Sequence, residues 1–244
     1  MGRAVVFISG KGGTGKTSAV AAVSSYLVLQ GKSVVCVDAD PLGGLDLALG
    51  VGERTLYNLG DAAGGACSLK DALIEINEVP PGQARHIGQF RFASLGTGDS
   101  VFAALAENLK KRCDWLLIDA PAGLSVDYPA DTAIYVVNAD SVNYRAASMI
   151  GVSGDFANSF MIANRVKPNL LARFDATLDD AIDTVGVRLL GYVPEDETVT
   201  TAMLRGRPLA FYKLHSDESP AQRSYREICD RLVNNADLFY SRAG

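Results

Sequence analysis

Two lysines, two threonines and four glycines fall within eight residues of this chain, Gly10-Lys11-Gly12-Gly13-Thr14-Gly15-Lys16-Thr17. That spacing fits G-x-x-x-x-G-K-[ST]. In this pattern the backbone N–H groups of Gly12, Gly13, Thr14 and Gly15 cradle phosphates, Lys16 reaches the β- and γ-phosphates and the Thr17 hydroxyl holds Mg²⁺. Ser18 follows directly and joins the candidate binding set. A glycine-rich turn without a ligand would need neither Lys16 nor Thr17. Lys11 is a second cation in the same loop.

Acidic residues recur where apolar runs stop. Ser33 to Val37 ends in Asp38-Ala39-Asp40-Pro41, and Asp114 to Ile118 ends in Asp119, followed by Pro121-Ala122-Gly123. A lone Asp38 would read as a cap or turn residue. Two aspartates at i, i+2 beside a phosphate loop point instead to Mg²⁺ or water positioning. An apolar run closing in an acid is the Walker B arrangement, whose carboxylate serves the metal, and Gly123 could turn its N–H toward a γ-phosphate. Asn164, followed by Arg165, has the amide donor and acceptor that a purine edge requires, although an isolated asparagine there would be a turn residue. Pro194-Glu195-Asp196 ends a later apolar run.

The elements that must position these groups follow from the pattern. Ala4 to Ile8 leads into the loop, and an alanine-rich segment without Gly or Pro, Ser18 to Gln30, leads out. Strand, loop and helix in that order point unpaired helix N–H groups and the positive dipole end at the phosphates. Further strands are expected at 33–37, 90–95, 114–118, 132–137, 160–163 and 187–193. Helices are expected at 68–76, 101–111, 142–152, around 178–184 and from Ser219, with Pro220 at its first position, to about Ala236. Leu42 to Gly50 reads as a loop carrying Asp46, and His86 as an isolated surface residue. Alternating strands and helices imply an α/β fold, a doubly wound, mainly parallel sheet with helices on both faces. In such a sheet ligands bind beyond the carboxyl ends of the strands, where Asp38, Asp40 and Asp119 emerge.

Composition narrows the partners. The 244 residues fit one large α/β domain, 1–244, with no linker or internal repeat. The balance of 23 Lys and Arg against 28 Asp and Glu, a charge of −5, argues against a nucleic-acid partner overall. A local basic patch made by folding stays open. The four cysteines form no ligand cluster, and Cys36 and Cys113 read as small apolar fillers. A strand beginning at residue 4 leaves no room for a signal peptide, and no apolar run nears the roughly 18 residues of a membrane span. A cytoplasmic protein is expected.

In order and separation, the loop, Asp38-Ala39-Asp40, Asp119-Ala120-Pro121-Ala122-Gly123, Asn164-Arg165 and Leu190-Gly191-Tyr192-Val193-Pro194-Glu195-Asp196 resemble the MinD branch of the deviant Walker A ATPases, the MinD/ParA group. The resemblance spans residue 3 to about 235. It implies a Mg²⁺-dependent ATPase, with ATP and Mg²⁺ as cofactors, that acts as a dimerisation switch in spatial regulation, most simply division-site placement. It further implies that Lys16 and Thr17 bind phosphate and Mg²⁺, and that Lys11 crosses to the nucleotide of a second subunit. Asp40 would orient the attacking water, Asp38 and Asp119 would serve the metal, and Asn164 would read adenine. Lys11, Lys16 and Asp40 form the catalytic set. Arg165, Pro194 and Asp196 complete the nucleotide contacts.

The chain departs from the group in two places. Ser141-Val142-Asn143-Tyr144-Arg145 replaces the usual acids of the subunit and MinC-type contact region, and only Asp237 to Gly244 is left for a membrane-targeting tail. That tail carries Leu238, Phe239 and Tyr240 with one cation, Arg242, and alone makes a weak, reversible anchor; dimerisation would present two copies. A ParA-type DNA-partition or cargo-positioning ATPase, a metallocofactor-maturation ATPase and a tyrosine kinase of the same fold are the competing readings. The acidic balance, the absence of paired cysteines and the lack of a tail tyrosine cluster speak against them in turn.

Overall fold

A computed structural model describes residues 2–77, 87–96, 99–123, 125–138, 145, 147–148, 151–152, 156–167, 182–213 and 217–240. His86, the segment 141–144 and most of the helix expected at 178–184 lie outside these residues; 182–185 is helical.

Ten strands are described: β1 Arg3–Ile8, β2 Val34–Asp38, β3 Ile74–Glu75, β4 Phe90–Ser94, β5 Trp115–Asp119, β6 Ser125–Val126, β7 Thr132–Asn138, β8 Gly151–Val152, β9 Asn158–Val166 and β10 Arg188–Pro194. Eight form one sheet in the order β10-β9-β7-β1-β5-β2-β4-β3, parallel except for the β3–β4 edge pair; β6 and β8 pair separately. The helices are α1 Lys16–Leu29, α2 Leu45–Ala48, α3 Leu59–Ala63, α4 Asp99–Lys110, α5 Glu197–Leu204 and α6 Pro220–Tyr240.

Side-chain alternation splits the core into two layers. Val5, Phe7, Cys36 and Leu117 face α1 and α6, whereas Ala4, Val6, Val35 and Ile118 face the α4 side. Helix α1 lies between the sheet and α6 and is buried almost all round, from Ser18 to Val28. Small Ala and Ser residues make that close approach feasible, which is why the segment shows no polar stripe. Ser219 and Gln222 cap the start of α6 reciprocally, Gln222 N–H to Ser219 Oγ at 3.3 Å and Ser219 N–H to Gln222 Oε1 at 2.9 Å.

The seven expected strands all lie in the main sheet, and four expectations are corrected. The helix at 68–76 is one turn followed by β3: Ser68 and Asp71 cap each other, and the chain then turns extended to pair with β4. The helix at 142–152 does not include Gly151–Val152, which form β8 against β6. The loop 42–50 contains α2. The closing helix runs on through Asp237–Tyr240, since no Gly or Pro interrupts it before Gly244. Helix α5 was not foreseen.

Candidate nucleotide site

Strand pairing sets the acids side by side. Phe7, Asp119 and Asp38 are register partners across β1, β5 and β2, so both carboxylates end their strands at one level. The 9–15 loop leaves β1 at the same edge. Gly13 and Gly15 adopt φ of +79° and +85°, the left-handed region open to glycine, and Gly15 hands the chain to α1. A Cβ at Gly12 or Gly13 would meet nothing within 4 Å, so the cradle is open in front of these residues. Lys11 is exposed at its rim.

Asp119 gathers the first two residues of α1. Its Oδ1 pairs with Lys16 Nζ, and its Oδ2 accepts the Thr17 hydroxyl at 2.6 Å. Lys16 is 6% and Asp119 1% exposed. Burial pushes the Asp119 carboxyl above its usual range against the pull of Lys16 and Thr17. Taking both charges out of water offsets much of their attraction, so a phosphate arriving in the cradle can compete for Lys16.

Asp38 performs the capping role that a lone aspartate would suggest. Its two oxygens accept the N–H groups of Asp40 and of Leu45, the first residue of α2, each at 3.1 Å. Burial, then the neighbouring Asp119, raises its pKa to about 6. Asp40 stands at the rim and accepts the Leu42 N–H at 3.0 Å, a local turn that leaves the carboxylate half-exposed. A Cβ added at Gly44 would lie 3.9 Å from the Thr17 methyl, so this segment runs beside the start of α1. Segment 38–45 thus hangs on one buried carboxylate beside the loop.

On the other side Asn164 and Arg165 hold the loop from behind. Asn164 Nδ2 donates to the Thr14 carbonyl at 2.8 Å and Arg165 to the Gly13 carbonyl at 3.1 Å. Arg165 has φ of +53°, the one positive non-glycine φ among the described residues. Asn164, Arg165, Pro194, Asp196 and Ser18 line a cleft of about 400 Å³ together with Val199 and Met203 of α5. Ser18 Oγ lies against Met203 Sδ. The α5 residues were missed in the sequence; the Asp196-Glu197-Thr198 start of α5 was the available signal.

Two residues are engaged elsewhere than expected. Gly123 donates its N–H to the Ser9 carbonyl at 3.0 Å, so this bond must open before the group can face a phosphate. Asp196 caps two helices at once, accepting Thr198 N–H at 2.8 Å and Ala221 N–H at 3.0 Å. These bonds overcome the effect of burial and lower its pKa.

The donor set suits a phosphate with a hard divalent cation. Glycine N–H groups, a buried ammonium and the buried, unpartnered hydroxyls of Ser9 and Thr14 all belong to residues 9–16. Mg²⁺ takes one or two protein oxygens plus water and substrate phosphate, which Thr17 and Asp119 can complement.

The family model for the CobQ/CobB/MinD/ParA nucleotide binding domain matches residues 5–209. The septum site-determining protein MinD of Synechocystis sp. is 32% identical over 219 residues, 86% of this chain and 82% of that protein. MinD in the MinC:MinD cell division protein complex of Aquifex aeolicus superposes with a TM-score of 0.81 at 26% identity, covering 95% and 96% of the two chains. The MinD of Pyrococcus horikoshii complexed with Mg-ADP gives 0.73 at 25% identity over 98% of each. With the family model matching residues 5–209 and a MinD relative 32% identical, the chain belongs to the MinD/ParA nucleotide-binding family, on its MinD branch.

Proposed function

We propose that residues 1–244 form one ATPase unit that hydrolyses ATP to ADP and phosphate, dimerises in the ATP state and serves to place the division septum. The observation that carries this reading is the double engagement of Asp119 with Lys16 and Thr17. A γ-phosphate in the cradle would draw Lys16 away from Asp119, and the change reaches segment 38–45 through Asp38, whose strand lies beside that of Asp119.

In this reading Gly12, Gly13, Thr14 and Gly15 bind phosphate through their N–H groups, and Lys16 neutralises the transferred group. Thr17 and Asp119 would hold Mg²⁺, with Asp38 serving the same metal region, and the ion would neutralise phosphate charge. Asp40 orients the attacking water from the rim. Asn164, Arg165 and Pro194 frame the base cleft, with Asp196 fixing its α5 wall. Lys11, exposed beside the cradle, would complete the partner's site, a role for which an arginine finger supplies about 10³–10⁵ in rate. An effector protein is proposed from the MinC:MinD relative, and a cytoplasmic location with weak, reversible contact at the membrane through the end of α6.

Phosphate release measured against protein concentration tests the reading. Specific activity should rise with concentration, and Lys11→Ala should lower it by about 10³ with nucleotide binding retained. Activity independent of concentration and unchanged in Lys11→Ala would overturn it.

A further inference from the structure

At the opposite end of the sheet from the nucleotide loop, the chain builds a second polar cleft of about 650 Å³. Its walls come from three separate segments: the start of β1, the turn after α1 and the turn between α4 and β5. They bring together Arg3, Lys32, Lys110, Lys111 and Arg112 against one lining carboxylate, Asp114. A net charge of −5 makes this concentration of cations a local departure from the whole molecule.

The cleft is built rather than incidental. Arg3 lies over the Trp115 ring at 5.3 Å, which fixes its guanidinium. Gly2 lies so close to the Cys113 and Lys110 carbonyls that no Cβ would fit. Arg91 donates to the Arg112 carbonyl and holds that turn. Asp114 is partly spent on the Ser33 N–H at 2.7 Å, and the Ser33 hydroxyl is shielded from solvent with no protein partner.

Helices α1 and α4 both end here, and cations favour helix C-termini. That explains a residue such as Lys110, which also pairs with Asp131 at 3.2 Å and Glu107 at 3.4 Å. It does not require Lys111 and Arg112 as well, both exposed on the cleft wall. Among the described residues, none of the exposed large apolar side chains, such as Leu42, Leu47, Leu56 or Leu204, lines this cleft.

We propose that this cleft binds a soluble anion carrying two or more phosphate groups, at a site separate from the nucleotide loop. Its volume exceeds one phosphate, and several clustered cations favour a ligand with several charges. The 14 residues of α1 put the two sites roughly 20 Å apart at 1.5 Å per residue, so both can be filled together.

Calorimetric titration of inorganic tripolyphosphate into the full chain at low salt tests this. Wild type should take up two equivalents. Lys16→Ala should keep the cleft equivalent, and the triple variant Lys32→Glu, Lys111→Glu, Arg112→Glu should keep only the loop equivalent, with cleft affinity at least about 30-fold weaker. Should that variant fold poorly, Lys111→Gln with Arg112→Gln should weaken the same equivalent by about tenfold. A single wild-type equivalent that the triple variant keeps, or two equivalents in the triple variant, overturns the proposal. Pelleting of wild type with phosphatidylglycerol vesicles that the triple variant loses would assign the cations to lipid headgroups and overturn the soluble ligand.

Discussion

Replacing Asp196 by alanine separates a framework role from direct nucleotide contact. The carboxylate accepts Thr198 N–H at 2.8 Å and Ala221 N–H at 3.0 Å, so one side chain satisfies an orphan donor at the start of both α5 and α6. Removing a cap costs about 1 kcal/mol per helix, giving about 2 kcal/mol for Asp196→Ala. In a chain of this size each kcal/mol lowers the melting temperature by about 2–4 °C, so a fall of about 4–8 °C is expected. Asp196→Asn keeps one acceptor oxygen and should lose about half as much. The pKa of Asp196 is lowered on folding, so its contribution is complete above the unfolded value near 4 and disappears as pH falls through the folded value. The gap between wild type and Asp196→Ala should therefore close in strong acid. Urea denaturation at pH 7 and pH 3, beside titration with a fluorescent ATP analogue, measures both arms. Stability unchanged within about 0.5 kcal/mol, with nucleotide affinity reduced tenfold or more, would refute the capping argument.

Two further perturbations act on the loop and on Asp38. A Cβ at Gly15 would collide with Asn164 Nδ2 at a backbone φ of +85°, so Gly15→Ala should cost about 3 kcal/mol and abolish nucleotide binding, read by thermal denaturation and analogue titration. Asp38 has a folded pKa of about 6 against an unfolded value near 4, so the folded state binds the extra proton between them. That term destabilises at neutral pH and is relieved on acidification. From pH 7 to pH 5 wild type should gain about 1 kcal/mol more unfolding free energy than Asp38→Asn, measured by urea denaturation; parallel pH profiles would contradict the assignment.

The candidate phosphate site is legible in the sequence because its parts are contiguous and strand-bound. Gly10 to Thr17 is one uninterrupted word, and Asp38 and Asp119 close apolar strands whose parallel pairing forces them to one level. What the sequence could not show was which partner each polar group takes. Asp38 is expected to serve the metal region, and its oxygens also accept two backbone N–H groups, one of them at α2. Asp196 and Gly123 likewise have backbone partners that no spacing announces.

Local signals also misled where tertiary pairing outweighed them. Ser68 has a helix-start signature with Asp71, but β4 captures the following residues as an edge strand. The short helices α2 and α3 offer too few residues for periodicity to register. The basic cleft was invisible for another reason: its cations lie at residues 3, 32 and 110–112 and meet only when β1, β2 and β5 pair side by side and start at the same end of the sheet.

Light scattering on the Asp40→Ala variant tests the central claim most directly. With the carboxylate proposed to orient water removed, ATP and Mg²⁺ should trap a particle of twice the chain mass, and ADP should return it to the monomer. A monomer in ATP, with nucleotide shown to be bound, would contradict the account.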